Sequence, residues 1–184
     1  MKEVSANVWV NAGVVIVAVM VLAAVQVMLP GLPGSGLKVP LVVFAGVYWM
    51  LFRDAWTGYL GALWAGAMMD GLGGVGWGAG MAIMAGLCWM ARRLREVSGA
   101  WGTIPGCGLA CAVAGAGMVM AQGALNGGLA SVGWQRVFVG TVEIFIASGV
   151  AGILVCGCLW GLDVWLGNFK VMEEADDVSW SGAD

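Results

Sequence analysis

The side chains of this chain that could do chemistry are a few polar groups inside long apolar runs. Asp70 ends one such run and opens a turn, Gly71 to Gly78, that contains five glycines. A carboxylate in an apolar setting is costly unless it has a partner. Asp70 could accept backbone N–H groups from this turn and from the start of the next helix, whose N-terminus favours a carboxylate. It could instead belong to a ligand pocket or to a docking site for a partner helix.

Other polar residues are predicted to lie at the same level as Asp70. We call this set the outer polar layer; its members are Gln26, Asp70, Gln122, Asn126 and Glu143. Four predicted helices contribute to it, and mutual hydrogen bonding is the least costly way to hold polar groups inside a membrane. Asp163, in contrast, is expected at a membrane interface.

Several kinds of catalysis are excluded by what the chain lacks. It contains no histidine, which removes Ser–His hydrolysis and HExxH metalloproteases. Asp70-Gly71 is not followed by the arginine and further aspartates of CDP-alcohol phosphotransferases, and neither a P-loop nor a dinucleotide fingerprint is present. We therefore expect no enzymatic activity and no cofactor.

The five cysteines all lie in apolar runs. Cys107 and Cys111 are one helical turn apart, but no histidine or acidic residue stands near them. A metal site with only these two ligands is improbable. We expect the cysteines to be small packing residues.

The elements that must position these residues are membrane helices. The chain is 61% hydrophobic and only 10% charged, whereas a soluble domain carries about 25% charge. The apolar runs are continuous and separated by short charged or glycine-rich breaks, the pattern of a polytopic helical protein. The prediction is an all-α, six-span bundle over residues 1–170, with spans near 8–29, 37–52, 56–70, 79–91, 103–122 and 137–161. Residues 171–184 form an acidic tail that is expected to be disordered.

The basic residues predict the orientation of this bundle. With both termini in the cytoplasm, six basic residues are inside: Lys2, Arg53, Arg92, Arg93, Arg95 and Lys170. Only Lys38 and Arg136 are outside. The excess of basic residues on one side is typical of the cytoplasmic face.

Small residues recur along the third predicted span. Gly58, Ala62, Gly66 and Asp70 are four residues apart and therefore share one helix face, the small-residue stripe, which leads to Gly78 in the following turn. Small residues let helices approach closely in a membrane. The stripe could pack inside the protein's own bundle or could bind a partner helix.

The block from Pro40 to Arg95, about 55 of the 184 residues, resembles the rod shape-determining MreD family. In that family a glutamine late in span one precedes a proline that opens span two, then a Tyr-Trp pair, a G-xxx-G-xxx-D run and a Leu-Gly. The matching residues here are Gln26, Pro40, Tyr48-Trp49, Ala62-Gly66-Asp70 and Trp77-Gly78. Ala62 and Trp77 depart from the glycine and the leucine of the pattern.

This resemblance implies a bacterial inner-membrane scaffold without its own chemistry. MreD-like proteins act with a bitopic MreC, the actin-like MreB, the RodA glycosyltransferase and a penicillin-binding transpeptidase to organise peptidoglycan synthesis along the side wall. It also implies a fold similar to the S-components of energy-coupling-factor vitamin transporters. The alternative function is such an S-component, with the outer polar layer as its vitamin site.

Overall fold

The computed structural model describes residues 2–53, 55–73, 78–98, 104–125 and 134–166. Within these ranges all regular secondary structure is helical. The six helices are α1 (Lys2–Met28), α2 (Leu41–Phe52), α3 (Ala55–Gly73), α4 (Ala79–Ser98), α5 (Ile104–Leu125) and α6 (Trp134–Trp165). The all-α prediction is therefore confirmed, and each predicted span corresponds to one helix. The predicted tail, residues 171–184, lies outside the described residues.

The helix ends differ from the predicted ones where local chemistry overrides hydropathy. α2 begins at Leu41 rather than at Leu37, because Pro40 is its N-cap and a proline disfavours helical backbone in the residue before it. α4 continues past the predicted end to Ser98, through its arginines. Hydropathy marks where a helix leaves an apolar medium, not where its hydrogen bonding stops.

Among the residues whose side chains the structure describes, one segment is long and apolar enough to cross a membrane by length and composition alone. It is Val137–Trp165 of α6, in which an 18-residue window has a mean hydropathy of 2.2. Shorter apolar segments occur in α1, α2 and α5, at Ala12–Met28, Leu41–Phe52 and Pro105–Ala121.

The core is built around α2, which is apolar on every side. Its residues from Leu41 to Leu51 are all buried, and it packs against the other five helices. A helix that is apolar all round must be enclosed in this way. The remaining helices form neighbouring pairs around it, α1 with α3, α3 with α4, α4 with α5 and α5 with α6.

Two polar contacts show which helix termini meet at each end of the bundle. At the Gln26 end, the last turn of α1 meets the first turn of α2 through Gln26 and Val42. At the Arg53 end, the residue that follows α2 meets the last turns of α6 through Arg53 and Asp163. These two ends carry the polar side chains that organise the fold.

Candidate functional site

Asp70 caps the N-terminus of α4. Its Oδ2 accepts the N–H of Gly78 at 2.9 Å, and its Oδ1 accepts the N–H of Gly80 at 2.5 Å. Asp70 is buried, and Gly78 has a φ of +102°, a backbone conformation suited to glycine. Of the roles considered for Asp70, these contacts show that of an acceptor for backbone N–H groups, and Gly78 is one of the two donors.

Gln26 joins three helices at the same end of the bundle. Its Oε1 accepts the N–H of Val42 at 3.2 Å, which satisfies one of the free donors in the first turn of α2. Its Nε2 lies 3.4 Å from the Met69 sulphur, next to Asp70 on α3. Gln26 is buried, and its side chain connects α1 to both α2 and α3.

Glu143 of α6 holds the loop between α1 and α2. Its Oε1 accepts the N–H of Gly34 at 3.0 Å. A Cβ at position 34 would lie 3.1 Å from both carboxylate oxygens, so the glycine lets the backbone approach Glu143 closely. This contact fixes the loop against α6.

The described members of the outer polar layer share one end of the bundle, and each of them accepts at least one backbone N–H group, whereas Glu143 Oε2 is buried without a partner. Gln26, Asp70 and Glu143 hold a helix start, a helix cap and a loop respectively. Asn126 and the side chain of Gln122 lie outside the described residues. The side chains of these three residues connect helices and loops of the bundle to one another.

The small-residue stripe faces the interior. Gly58, Ala62 and Gly66 are buried, and α3 packs against α2 and α4. A Cβ at Gly66 would lie 2.5 Å from the Met81 Cα, and a Cβ at Gly58 would lie 2.8 Å from the Met50 sulphur. Of the two roles considered for the stripe, packing within the chain is the one that these contacts support.

The polar cluster at the opposite end was not predicted. Arg53 donates to both oxygens of Asp163, from Nε at 3.1 Å and from Nη2 at 2.5 Å, and the Tyr48 hydroxyl donates to Oδ2 at 2.9 Å. All three residues are buried. The carboxylate of Asp163 is enclosed because its partners neutralise it, and the expectation that it lies at a membrane interface stays a prediction. We call these residues the Arg53 cluster.

A second unpredicted group lies between α5 and α6. The structure joins Cys107 and Cys156 in a disulfide, and the Cys111 sulphur lies 3.8 Å from that of Cys156. The three sulphurs are within 4.8 Å of one another, and all three residues are buried. We call this group the cysteine cluster. Sequence spacing placed Cys107 near Cys111, but only the packing of α6 adds the third sulphur.

An open apolar groove of about 170 Å³ lies between α1 and α3. Its lining includes Val15 and Ile16 of α1 and Trp56, Leu60 and Trp64 of α3. With Thr57 as the one polar side chain in its lining, the groove offers little hydrogen bonding to a polar ligand.

Comparison of the chain with protein-family models, with curated proteins and with solved structures gives no match. The assignment of a function therefore depends on the residues and contacts described above. They form polar contacts that connect helices and loops, a buried sulphur cluster and an interior packing stripe.

Proposed function

We propose that the chain is a six-span protein of the bacterial cytoplasmic membrane, with both termini in the cytoplasm. The support is the apolar exterior of the helices. One stripe on α6 repeats every four residues and is between 41 and 71% exposed, and it consists of Phe138, Val142, Ile146, Val150 and Leu154. Large exposed apolar surfaces are rare on soluble monomers, whereas lipid is their natural solvent.

The distribution of charge supports the proposed orientation. The Arg53 end carries Arg53 and the arginines of α4, Arg92, Arg93 and Arg95, while Lys38 lies in the loop at the Gln26 end. An excess of arginine marks the cytoplasmic side of short-loop membrane proteins. The Gln26 end then faces away from the cytoplasm.

We further propose that the protein is a non-enzymatic scaffold of the rod complex, similar to MreD. The observation that carries this proposal is the role of the residues on which the resemblance depends. Gln26 and Pro40 start α2, Tyr48 binds Asp163, and Asp70 caps α4. Residues that build a fold are those that a family sharing the fold would have in common.

The alternative, an S-component, receives less support from the same contacts. A vitamin site needs polar groups that converge on a ligand and are not already bound. In the described outer polar layer, Gln26 Oε1 and both oxygens of Asp70 accept backbone N–H groups of this chain, and Glu143 accepts one through Oε1. Only Glu143 Oε2, among the acceptor oxygens of these three side chains, is buried without a partner, and a single such atom is fewer than a vitamin site needs.

The scaffold proposal places the partner surface on the exterior of the bundle. The small-residue stripe is occupied by α2 and α4, so an MreC-like helix would contact an exposed face instead. The α6 stripe is one candidate, because it runs along most of a helix and is apolar throughout. Through that helix the protein would act with MreB, RodA and the transpeptidase.

The experiment that tests this proposal is site-specific photo-crosslinking in native membranes. A photoreactive amino acid is placed in turn at exposed positions of each helix, with Ile146 on the α6 stripe among them, and Met118, which is fully buried, serves as the control position. Crosslinked products are purified through a tag and identified by mass spectrometry. We expect an MreC-like, RodA-like or transpeptidase chain at Ile146 or at other exposed positions and none at Met118.

A different set of products would overturn the proposal. Recovery of an energy-coupling-factor transmembrane subunit with its paired ATPases would identify an S-component. Crosslinks to lipid alone from every exposed helix face would show that no partner helix binds the bundle.

A further inference from the structure

The close crossing of α5 and α6 brings the cysteine cluster together. A Cβ at Gly152 would collide with the Cβ of Cys111 and lie 3.1 Å from its sulphur. The absence of a side chain at Gly152 therefore lets α6 approach α5 until Cys156 reaches Cys107 and Cys111.

The three sulphurs have the spacing of a ligand set. They lie within 4.8 Å of one another, and Cys111 and Cys156 are 3.8 Å apart. Bonds from sulphur to a metal are about 2.3 Å long, so one ion could bridge all three after small side-chain rotations. Thiolate sulphur selects soft, thiophilic ions.

The net charge of the complex between three thiolates and an ion limits which soft ions the cysteine cluster could bind. No charged residue stands in α5, and none stands within six positions of Cys156 in α6. Three thiolates around a monovalent or divalent ion would leave a net negative charge in this apolar region, which is strongly unfavourable without a partner. Zinc also prefers a fourth ligand. A trivalent ion with three thiolates is neutral.

We propose that the reduced cysteine cluster, Cys107, Cys111 and Cys156, is a three-sulphur binding site for a trivalent thiophilic element of the arsenite class. The disulfide is first reduced by two molecules of a small thiol such as glutathione, which become one disulfide. Neutral arsenous acid, As(OH)₃, then reacts with the three thiols. Three As–S bonds form, three As–O bonds break, and three water molecules leave. Reactants and product are neutral, so no net charge enters the apolar region.

The test uses the full chain purified in detergent, reduced with a phosphine, desalted and incubated with sodium arsenite. Intact-mass spectrometry should show one arsenic gained and three hydrogens lost per chain. Cys88→Ser and Cys158→Ser should bind equally, because neither cysteine belongs to the cluster. Cys107→Ser, Cys111→Ser and Cys156→Ser should each fail to form the three-sulphur product, in which one arsenic is gained and three hydrogens are lost.

A second measurement needs no variant and therefore does not depend on the folding of one. The arsenite-treated wild-type chain is unfolded while an alkylating agent is present, and each cysteine is read by peptide mass spectrometry. Cys107, Cys111 and Cys156 should be protected together, and Cys88 and Cys158 should be alkylated. An adduct that keeps a hydroxyl on two sulphurs, or protection that includes Cys88 or omits Cys111, would overturn the proposal.

Discussion

At the scale of single residues, the polar side chains form two kinds of contact, and the fold depends on the two kinds to different degrees. Asp70 accepts two backbone N–H groups at the start of α4. Arg53 and Asp163 hold each other, with Tyr48 as a third member. Removing the Asp70 carboxylate leaves uncharged N–H groups without an acceptor. Removing Arg53 or Asp163 instead leaves the other residue as a buried, unpaired charge.

Asp70→Leu should destabilise the bundle. The leucine cannot accept the N–H groups of Gly78 and Gly80, and each buried, unsatisfied donor costs about 1–3 kcal/mol. We expect the purified leucine variant to unfold at a lower temperature than the original protein, as measured by tryptophan fluorescence. Asp70→Asn is the matched control, since its amide keeps one acceptor and should lose less. An unchanged midpoint in the leucine variant would show that the cap contributes nothing.

Arg53 and Asp163 should behave as a coupled pair. Arg53→Met or Asp163→Leu alone leaves an uncompensated buried charge, which costs about 3–5 kcal/mol. The double variant replaces the pair with apolar side chains and should lose much less than the sum of the two. A double-mutant cycle on unfolding free energies measures this coupling. Additive losses would mean that the two charges are solvated independently.

Sequence separation explains which of these pairings could be predicted. Asp70 and its partners are eight and ten residues apart, so a carboxylate before a glycine-rich turn indicates the cap directly. Asp163 is 110 residues from Arg53, and no local pattern connects them. Cys156 reaches Cys111 across 45 residues for the same reason. Such contacts depend on helix packing, which hydropathy does not specify.

At the scale of helices, the small-residue stripe determines how closely α3 approaches its neighbours. Gly66 lies against the backbone of α4, so a side chain there meets atoms that cannot rotate away. Gly71 lies further along the same helix, and a Cβ there would meet nothing within 4 Å. The two glycines offer a direct comparison within one helix.

Gly66→Ala should therefore separate α3 from α4 and destabilise the protein. Its Cβ would lie 2.5 Å from the Met81 Cα and 2.7 Å from the Gly80 oxygen, and overpacking of this kind costs about 1–3 kcal/mol. Gly71→Ala should leave stability unchanged or raise it slightly, because alanine has the higher helix propensity. Both variants are compared by thermal unfolding. Equal effects at the two positions would show that the α3–α4 contact tolerates a methyl group.

Helix number and order were predictable because each helix contains a continuous apolar run bounded by glycine, proline or charge. The central place of α2 was not predicted, although its composition contains the signal: from Leu41 to Phe52 it has no charged residue and no polar face. A short helix that is apolar on all sides is enclosed by others. Such a helix contacts other helices of the bundle along most of its surface.

At the scale of the whole molecule, the proposed topology depends on two groups of charges at opposite ends of the bundle. The arginines of α4 and Arg53 lie at one end, and the loop with Ser35 and Lys38 lies at the other. A bundle inserted the other way would place the arginine-rich end outside the cytoplasm, against the usual distribution of basic residues. Orientation is thus a consequence of sequence that the fold alone does not determine.

Cysteine labelling in intact cells tests this orientation with two conservative variants. Ser35→Cys lies in the loop at the Gln26 end, and Ser98→Cys lies at the C-terminus of α4 at the Arg53 end. In a Cys158→Ser background, a membrane-impermeant maleimide should label position 35 in intact cells and position 98 only after the membrane is permeabilised. The reverse pattern would invert the topology, and labelling of both positions in intact cells would exclude a six-span arrangement. Because serine and cysteine are similar in size, each substitution adds a reactive thiol with little change in volume.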